Sequence, residues 1–527
     1  MIGQTAVAND PAVDGKPFAI ELKNIDKRFG AVHANKAVSL TVQPGTIHGI
    51  VGENGAGKST LMSILYGFYQ ADAGEIFVGG KRRNIRRPSD AIAAGIGMVH
   101  QHFMLVEPFT VLENVVLGAE GGARLNNGLA AARVALEKLG ADYAMTVPLD
   151  TPVAELAVGV QQRVEILKAL YRGAEILILD EPTGVLTPAE ADHLFAVLGQ
   201  LRKQGKTVLF ITHKLREIMA ITDNVSVMRR GELVGTVATR ATTPQKLAEM
   251  MVGRNVRLTV DKAARKPGEA ILDVRGLSAA DDRGTTRLRD VTFSIREGEI
   301  VGIAGVAGNG QSELLEVLAG IRRRTAGEIL LGGAPLDPAR TDPAKLRSAH
   351  VAHVPEDRHR MGLVMSFPAT ENSILGYQSD PRLTPHGFMD RAAILKDTQG
   401  NMASFDVRPA DPNLRAENFS GGNQQKLVLA REFERDPRLL IVGQPTRGVD
   451  IGAIEFIHKR LVAMRDAGKA ILLVSVELDE IRALADRILV MFDGRIMGER
   501  GPEASEQELG LLMAGIDGGP AMAEAVG

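Results

Sequence analysis

Two segments of this chain carry the same glycine-rich loop, and each follows a short apolar run and precedes a helical pattern. Residues 52–60 read GENGAGKST after TIHGIV, and residues 305–312 read GVAGNGQS after EIVGIA. A loop between a buried strand and a helix can bind phosphate, because its backbone N–H groups and the helix dipole both favour an anion. The chain is therefore expected to contain a phosphate-binding α/β core twice.

The two loops are unequal. Lys58 in the first loop can reach the β and γ phosphates of a nucleotide, and the Ser59 hydroxyl can ligate Mg²⁺. In the second loop Gln311 takes the place of the lysine, so one positive charge is missing where a triphosphate needs it. The other residues of the first loop that are expected to line the phosphates are Gly52, Glu53, Asn54, Gly55, Ala56, Gly57 and Thr60.

Further segments match between the two halves in the same order, which indicates a tandem duplication. The matched pairs are 156–170 with 419–433, 176–184 with 439–447, and 208–218 with 471–481. A polar stretch between the halves marks the boundary. The predicted organisation is a disordered tail (1–17), a first domain (18–253), a linker (254–268), a second domain (269–514) and a tail (515–527).

Within each half, apolar runs alternate with helical patterns. ILILD and TVLFIT in the first half, and LLIVG and AILLVSV in the second, are typical of buried parallel strands. Residues 132–143 have helical periodicity and lie between the glycine-rich loop and the QQ segment. This arrangement predicts an α/β core with an inserted helical subdomain.

Composition and charge exclude several classes of protein. The 527 residues contain no cysteine, so disulfides, thiolate metal sites and cysteine nucleophiles are excluded. The net formal charge is −2, and the short basic runs at 81–87 and 322–324 are more typical of solvated loops than of a nucleic-acid surface. We find no apolar run near the roughly 20 residues that span a bilayer and no secretory signal at the N-terminus.

The ordered set of motifs resembles the ATP-binding cassette (ABC) family over nearly the whole chain. Beside the glycine-rich loop, this set consists of Gln101 after a strand, LAVGVQQ, ILILDEP and ITH. The resemblance implies two tandem P-loop nucleotide-binding domains that pair head-to-tail within the chain. It also implies ATP and Mg²⁺ as cofactors.

The resemblance assigns a role to each motif of the first half. Lys58, Glu181 and His213 would be catalytic, with Glu181 polarising the attacking water and His213 contacting the γ-phosphate. Ser59, Gln101 and Asp180 would hold the metal, and Phe29 would contact adenine. The family's signature sequence contacts the γ-phosphate across the pair of domains. Its nearly intact copy in this chain is Ser420, Gly421, Gly422, Asn423 and Gln424.

The departures from the family pattern fall on one side of the expected pair. The second half has Gly443, Gln444 and Val476 where the first has Asp180, Glu181 and His213, and Glu356 where the first has Gln101. The first half has a signature that begins with Ala157 instead of serine. Head-to-tail pairing would therefore give one complete site, built on Lys58 and Ser420 with Asp450, and one degenerate site that combines Gln311 with Ala157 and Thr187. We expect only the first to hydrolyse ATP.

Three roles are compatible with a twin cassette: a membrane importer, a ribosome-associated factor, and an ATPase of DNA repair or chromosome structure. The short linker, the missing zinc cysteines and the absence of sustained heptads favour the importer. The second-half motifs NFSGGNQQK, VPEDR and QPTRGVD resemble the bacterial subfamily for simple sugars and nucleosides, and residues 98–118 and 158–188 favour its nucleoside branch over the sugar branch.

The expected partners follow from that resemblance. They are two transmembrane permease subunits and a solute-binding receptor, and no nucleic acid. The chain would lie on the cytoplasmic face of the inner membrane as a peripheral protein. It would contact the membrane only through the permease, by way of the stretch HFMLVEPF (102–109) and its counterpart after Glu356.

Overall fold

The computed structural model divides the chain into two compact units, Met1–Val256 (unit 1) and Arg257–Gly527 (unit 2). The described residues are 17–30, 32–100, 103–119, 125–184, 186, 188–254, 262–263, 265–306, 308–449 and 451–516. Nearly all of the two predicted tails, and Gln101, Thr187 and Asp450, lie outside them. Within the described part of the chain, no helix has the length and apolar character needed to cross a membrane.

Unit 1 is built on two sheets. Its strands are β1 Ile20–Phe29, β2 Val32–Val42, β3 Ile47–Gly52, β4 Ala73–Val78, β5 Lys81–Arg83, β6 Ile96–Val99, β7 Ile176–Asp180, β8 Thr207–Ile211, β9 Asn224–Arg229 and β10 Glu232–Ala238. An antiparallel sheet has the order β2-β1-β4-β5, and a second sheet has the order β10-β9-β3-β8-β7-β6. The second sheet is parallel from β9 to β6.

Helices flank the sheets of unit 1. They are α1 Lys58–Tyr66, α2 Pro88–Ala93, α3 Val111–Val116, α4 Leu125–Asp142, α5 Val158–Tyr171, α6 Pro188–Lys203, α7 Leu215–Ile221 and α8 Pro244–Val252. Residues 132–142 of the predicted helical stretch lie within α4, and the predicted strands are β7 and β8. Every residue of β3, β7 and β8 is buried, as the unbroken apolar runs predict for strands covered on both faces.

Unit 2 repeats this architecture. Its strands are β11 Ala270–Ala280, β12 Thr286–Arg296, β13 Ile300–Ala304, β14 Ala326–Leu331, β15 Ala334–Pro335, β16 Val351–Val354, β17 Leu439–Gly443, β18 Ala470–Val474, β19 Arg487–Phe492 and β20 Arg495–Arg500. The sheet orders are β12-β11-β14-β15 and β16-β17-β18-β13-β19-β20. The helices are α9 Gln311–Leu318, α10 Pro343–Ser348, α11 Ala369–Ser373, α12 Arg391–Ser404, α13 Gly421–Phe433, α14 Ile451–Asp466, α15 Leu478–Leu484 and α16 Glu506–Met513.

The parallel sheet of unit 1 brings three motifs to one edge. β8 pairs with β3 on one side and with β7 on the other, with Ile50 opposite Ile211 and Asp180 also opposite Ile211. The carboxyl ends of neighbouring parallel strands meet at the same edge, which is where α/β sheets bind ligands. The glycine-rich loop, the Asp180–Glu181 pair and His213 therefore lie together.

Candidate active site

Lys58 begins α1 and is buried, with 5% of its surface exposed. Its Nζ donates to the carbonyl oxygens of Gly52 (2.7 Å) and Glu53 (3.1 Å), which hold the ammonium group over the loop. Burial lowers the pKa of Lys58, and the nearby carboxylates of Glu181 and Asp180 oppose that effect. Phosphate charge at this position would add to the groups that keep the ammonium protonated.

The loop geometry requires glycine at two positions. Gly57 has φ 97°, and a Cβ there would lie 2.3 Å from the Ala34 carbonyl oxygen. A Cβ on Gly52 would lie 2.4 Å from the Met228 carbonyl oxygen. The buried Asn35 amide donates to the Gly57 carbonyl (3.1 Å), so the β2 strand fixes the turn from outside.

Asp180 ends β7 and accepts a hydrogen bond from the Ser59 hydroxyl. Burial raises the pKa of Asp180, and the hydrogen bond from Ser59 only partly offsets this. A buried carboxylate and a hydroxyl are hard oxygen donors of the kind that Mg²⁺ prefers, and a divalent cation would stabilise the ionised form. Among the described residues, no cluster of three or more His, Asp or Glu side chains could hold a metal ion.

Glu181 follows Asp180 in a left-handed backbone conformation, with φ 47°. One carboxylate oxygen, Oε1, lies 3.0 Å from Nδ1 of His213. This hydrogen bond is the largest cause that lowers the pKa of Glu181, so the carboxylate is held ionised. A non-glycine residue at positive φ is uncommon and concentrates at functional sites.

Glu217 was missed by the sequence reasoning. Its carboxylate accepts from the hydroxyls of Thr183 (2.5 Å) and Thr212 (3.0 Å), which follow β7 and β8 respectively. It therefore fixes the two segments that carry Glu181 and His213 relative to each other. The signal available in the sequence was a glutamate at the equivalent position of both halves, 217 and 480.

Phe29 ends β1 and is 42% exposed, as an aromatic side chain that stacks on a base must be. Its ring packs edge-on against Tyr69, with 5.1 Å between centroids, and the Lys27 ammonium lies 5.3 Å from its centroid. Tyr69 was also missed by the sequence reasoning, since its position after α1 carries no motif. The pair forms an exposed aromatic surface beside the turn between β1 and β2.

The second glycine-rich loop has different hydrogen bonds from the first. The Gln311 amide donates to the Val306 carbonyl oxygen (3.0 Å) and accepts from the Asn309 backbone N–H (3.1 Å). One backbone donor of the loop is therefore already used by a side chain. The substitution of the lysine removes charge and also fills the loop.

A second carboxylate occupies the space beside β17. A Cβ on Gly443 would lie only 2.7 Å from Cγ of Glu356, so an aspartate like Asp180 has no room here. The Ser312 hydroxyl donates to the Glu356 carboxylate. Gln444 keeps the left-handed backbone of Glu181, with φ 47°, but its amide oxygen accepts from the Val476 N–H (3.3 Å). The replaced residues have thus formed a new network of their own.

The intact signature lies at the N-terminus of α13. Ser420 is the exposed N-cap residue, and Asn423 donates to its hydroxyl oxygen (2.9 Å). Gln424 is buried, and its amide donates to the carbonyl oxygens of Ala416 (3.0 Å) and Phe419 (3.1 Å). Ser420 and the helix N-terminus are therefore open to a ligand, whereas Gln424 holds the loop from inside the unit.

In unit 1 a glutamine also holds the loop before the signature helix, but the serine hydroxyl at the N-cap is missing. Its helix α5 begins after Ala157, and Gln161 donates to the Leu156 carbonyl oxygen (2.9 Å). Ala157 offers no side-chain donor or acceptor, so this helix N-terminus presents backbone groups alone.

An apolar groove lies beside the segment after β6. Its lining includes Tyr66, Phe68, Met98, His100 and Met104, with Lys168 at one wall. Met104 is 61% exposed, and its carbonyl oxygen accepts from Lys168 (2.9 Å). Most described residues of the stretch 103–109 are at least partly exposed, so this stretch is a surface rather than core.

A protein-family model described as ABC transporter matches residues 35–184 and 288–447. The nucleoside import ATP-binding protein NupA of Lactococcus lactis subsp. cremoris is 48% identical, covering 94% of this chain and 98% of that protein. The guanosine import ATP-binding protein NupO of Bacillus subtilis is 47% identical, covering 94% and 98%. The glucose import ATP-binding protein TsgD13 of Haloferax volcanii is 46% identical, covering 97% and 98%.

Proposed function

The chain belongs to the ABC transporter family, and on that premise we propose that it is the ATP-hydrolysing subunit of a nucleoside importer. One observation carries the enzymatic part: the Glu181–His213 pair lies at the same sheet edge as the Lys58 loop and the Ser59–Asp180 pair. The names of two relatives, a nucleoside and a guanosine import protein, support the choice of solute.

In the proposed mechanism each residue of unit 1 has one task. The loop N–H groups and Lys58 hold the phosphates of ATP, and Phe29 stacks on adenine. Ser59 and Asp180, with Gln101, would hold Mg²⁺, which when bound neutralises phosphate charge. The ionised Glu181 orients and polarises a water molecule, and His213 fixes Glu181 and donates toward the γ-phosphate.

We further propose that the two units pair head-to-tail within the chain, as domains 18–253 and 269–514 joined by the linker 254–268. Ser420, Gly421, Gly422 and Asn423 would then complete the Lys58 site, while Gln424 supports them from behind. The filled loop at Gln311 and the Glu356–Ser312 contact support a second site without turnover. Random loss would not leave one site whole and rewire the other.

The subunit would work at the cytoplasmic face of the membrane. It would dock on two permease subunits through the groove beside Met104 and its counterpart in unit 2, which is lined by Ile321, His353 and Met361. The permease would receive solute from a solute-binding receptor. The chain itself would contact neither the solute nor nucleic acid.

Paired variants test the site assignment. Glu181→Gln is expected to abolish ATP hydrolysis by the full-length chain while ATP binding persists, because the carboxylate that polarises water is gone. Gln444→Ala is the matched change at the equivalent position and should retain most of the activity. Loss of activity in Gln444→Ala with retention in Glu181→Gln would reverse the assignment.

Glucose import is the second candidate, and the identity of 46% to TsgD13 favours it. Uptake of labelled nucleosides, ribose and glucose in cells that lack this gene separates the two. We expect loss of nucleoside uptake alone, restored by the wild-type gene but not by Glu181→Gln. Loss of sugar uptake with intact nucleoside uptake would assign the sugar instead.

A further inference from the structure

The segment after β16 differs in length from its counterpart after β6. Each segment ends at an equivalent asparagine, Asn114 or Asn372, whose side chain bonds the backbone eight residues earlier on both N–H and C=O. From Gln101 to Asn114 there are 14 residues, against 17 from Glu356 to Asn372. The segment of unit 2 is therefore longer than its counterpart in unit 1, although both end at the same asparagine contact.

The longer segment of unit 2 contains a wide helical turn, Arg358–Gly362, with i→i+5 hydrogen bonding. Asp357 caps it, because one carboxylate oxygen accepts from the N–H groups of His359 (2.9 Å) and Arg360 (3.1 Å). Turns of this kind are rare and are found frequently at functional sites. The turn begins at Arg358, the last residue of the VPEDR motif (354–358), and the proposed mechanism gives Arg358 and His359 no task.

Two side chains of the turn form hydrogen bonds with Gln424 in the first turns of the signature helix α13. His359 Nε2 lies 2.9 Å from Oε1 of Gln424, and Arg358 Nε donates to the same oxygen at 3.4 Å. The Gln424 nitrogen already donates to two backbone carbonyls, so the amide orientation is fixed and Oε1 can only accept. His359 must therefore carry a proton on Nε2.

Arg358 also reaches the loop that follows β17. Its Nη1 donates to the Arg447 carbonyl oxygen at 2.9 Å. A Cβ on Gly421 would lie 2.7 Å from Nη2 of Arg358, and one on Gly448 would lie 3.4 Å from it. The guanidinium thus occupies space that two glycines leave open. At the position of Gly421, unit 1 has Val158, whose Cβ would obstruct such an arginine.

We infer that Arg358 and His359 are positioning residues, which hold the signature helix α13 and the loop 447–449 of unit 2 in one fixed relation. The inference deepens the proposed function and rests on it, because α13 is the helix that would complete the Lys58 site. The turn also lies in the segment that would face the permease.

Steady-state ATP hydrolysis by the full-length chain tests the inference. Arg358→Met keeps the aliphatic stem and removes both donors, and we expect kcat to fall on the order of tenfold, the scale of a lost hydrogen bond from a charged group. ADP affinity should stay unchanged, because the Lys58 loop lies in unit 1, and a cooperative thermal unfolding transition would show that the variant is folded. Arg360→Met is the matched control, since Arg360 is exposed in the same turn and should retain wild-type kcat.

Two variants of His359 test the inference independently. His359→Gln keeps an N–H donor toward Gln424 and should retain kcat, whereas His359→Leu should lower it severalfold. A kcat within twofold of wild type for both Arg358→Met and His359→Leu would overturn the inference. Failure of the proposed function would register elsewhere, as continued hydrolysis by Glu181→Gln, so the two outcomes are distinguishable.

Discussion

At the scale of single residues, the Glu181–His213 hydrogen bond sets the protonation of the proposed base. The bond lowers the pKa of Glu181, and burial opposes it. Replacement of His213 by Gln removes the stabilising imidazole, so the pKa of Glu181 should rise. Because the ionised carboxylate is the active form, we expect the acid limb of the kcat–pH profile to move to higher pH, together with a lower maximal kcat.

An exposed histidine supplies the control for this measurement. His193 lies on α6 and is solvent-exposed, so His193→Gln should leave the profile unchanged. A His213→Gln profile that falls in amplitude but keeps its acid limb would show that His213 does not set the pKa of Glu181.

At the scale of elements, the conformation of the glycine-rich loop depends on the absence of a Cβ at Gly57. Gly57→Ala places a Cβ 2.3 Å from the Ala34 carbonyl oxygen at φ 97°, so both strain and overlap oppose it. We expect ATP affinity to fall more than tenfold and unit 1 to lose about 1–3 kcal/mol of stability. Gly79→Ala is the control, because Gly79 also has positive φ (57°) but no atom within 4 Å of the added Cβ. Equal effects of the two changes would refute the steric argument.

The second element is the segment 103–109, whose shape depends on Asn114. The Asn114 side chain is buried, accepts from the Val106 N–H (2.7 Å), and donates to the carbonyl oxygens of Val106, Phe109 and Thr110. Asn114→Leu leaves these groups without their partner, at a cost of about 2 kcal/mol or more. We expect retained ATP binding and strongly reduced solute uptake in cells. Full uptake would exclude this segment as the docking surface.

The helices and strands could be predicted from the sequence more fully than the side-chain contacts between them. The strands β3, β7 and β8 and their loops follow from unbroken apolar runs and glycine spacing. The contact of Gln311 with its own loop, the entry of Glu356 into space left by Gly443, and the grip of Arg358 on α13 were not foreseen. The contacts of Glu356 and Arg358 join residues that are distant in sequence and meet only after folding. The contact of Gln311 is local, but it depends on the folded course of its own loop. No periodicity or local motif encodes any of the three.

At the scale of the whole molecule, each unit has a histidine in its larger sheet whose pKa is lowered by burial. His48 lies in β3, with its Nε2 2.8 Å from the Ser226 hydroxyl, and His353 lies in β16. Burial lowers the pKa of each to about 4 from an ordinary 6.5. Both histidines are therefore neutral in the folded chain at pH 7 and resist protonation as the pH falls.

Acidification should therefore destabilise both units. Since the folded pKa lies below the unfolded one, the unfolded chain binds more protons between pH 6.5 and 4, so stability present above pH 6.5 is lost as the pH falls through this window. The loss of unfolding free energy between pH 7 and pH 5 should be about 2 kcal/mol per histidine.

Urea unfolding followed by circular dichroism measures this free energy, because the chain has no tryptophan for a fluorescence measurement. His48→Leu and His353→Leu should each reduce the acid loss of their own unit, and His193→Leu should not. An unchanged loss in both buried-site variants would assign the acid sensitivity to other groups.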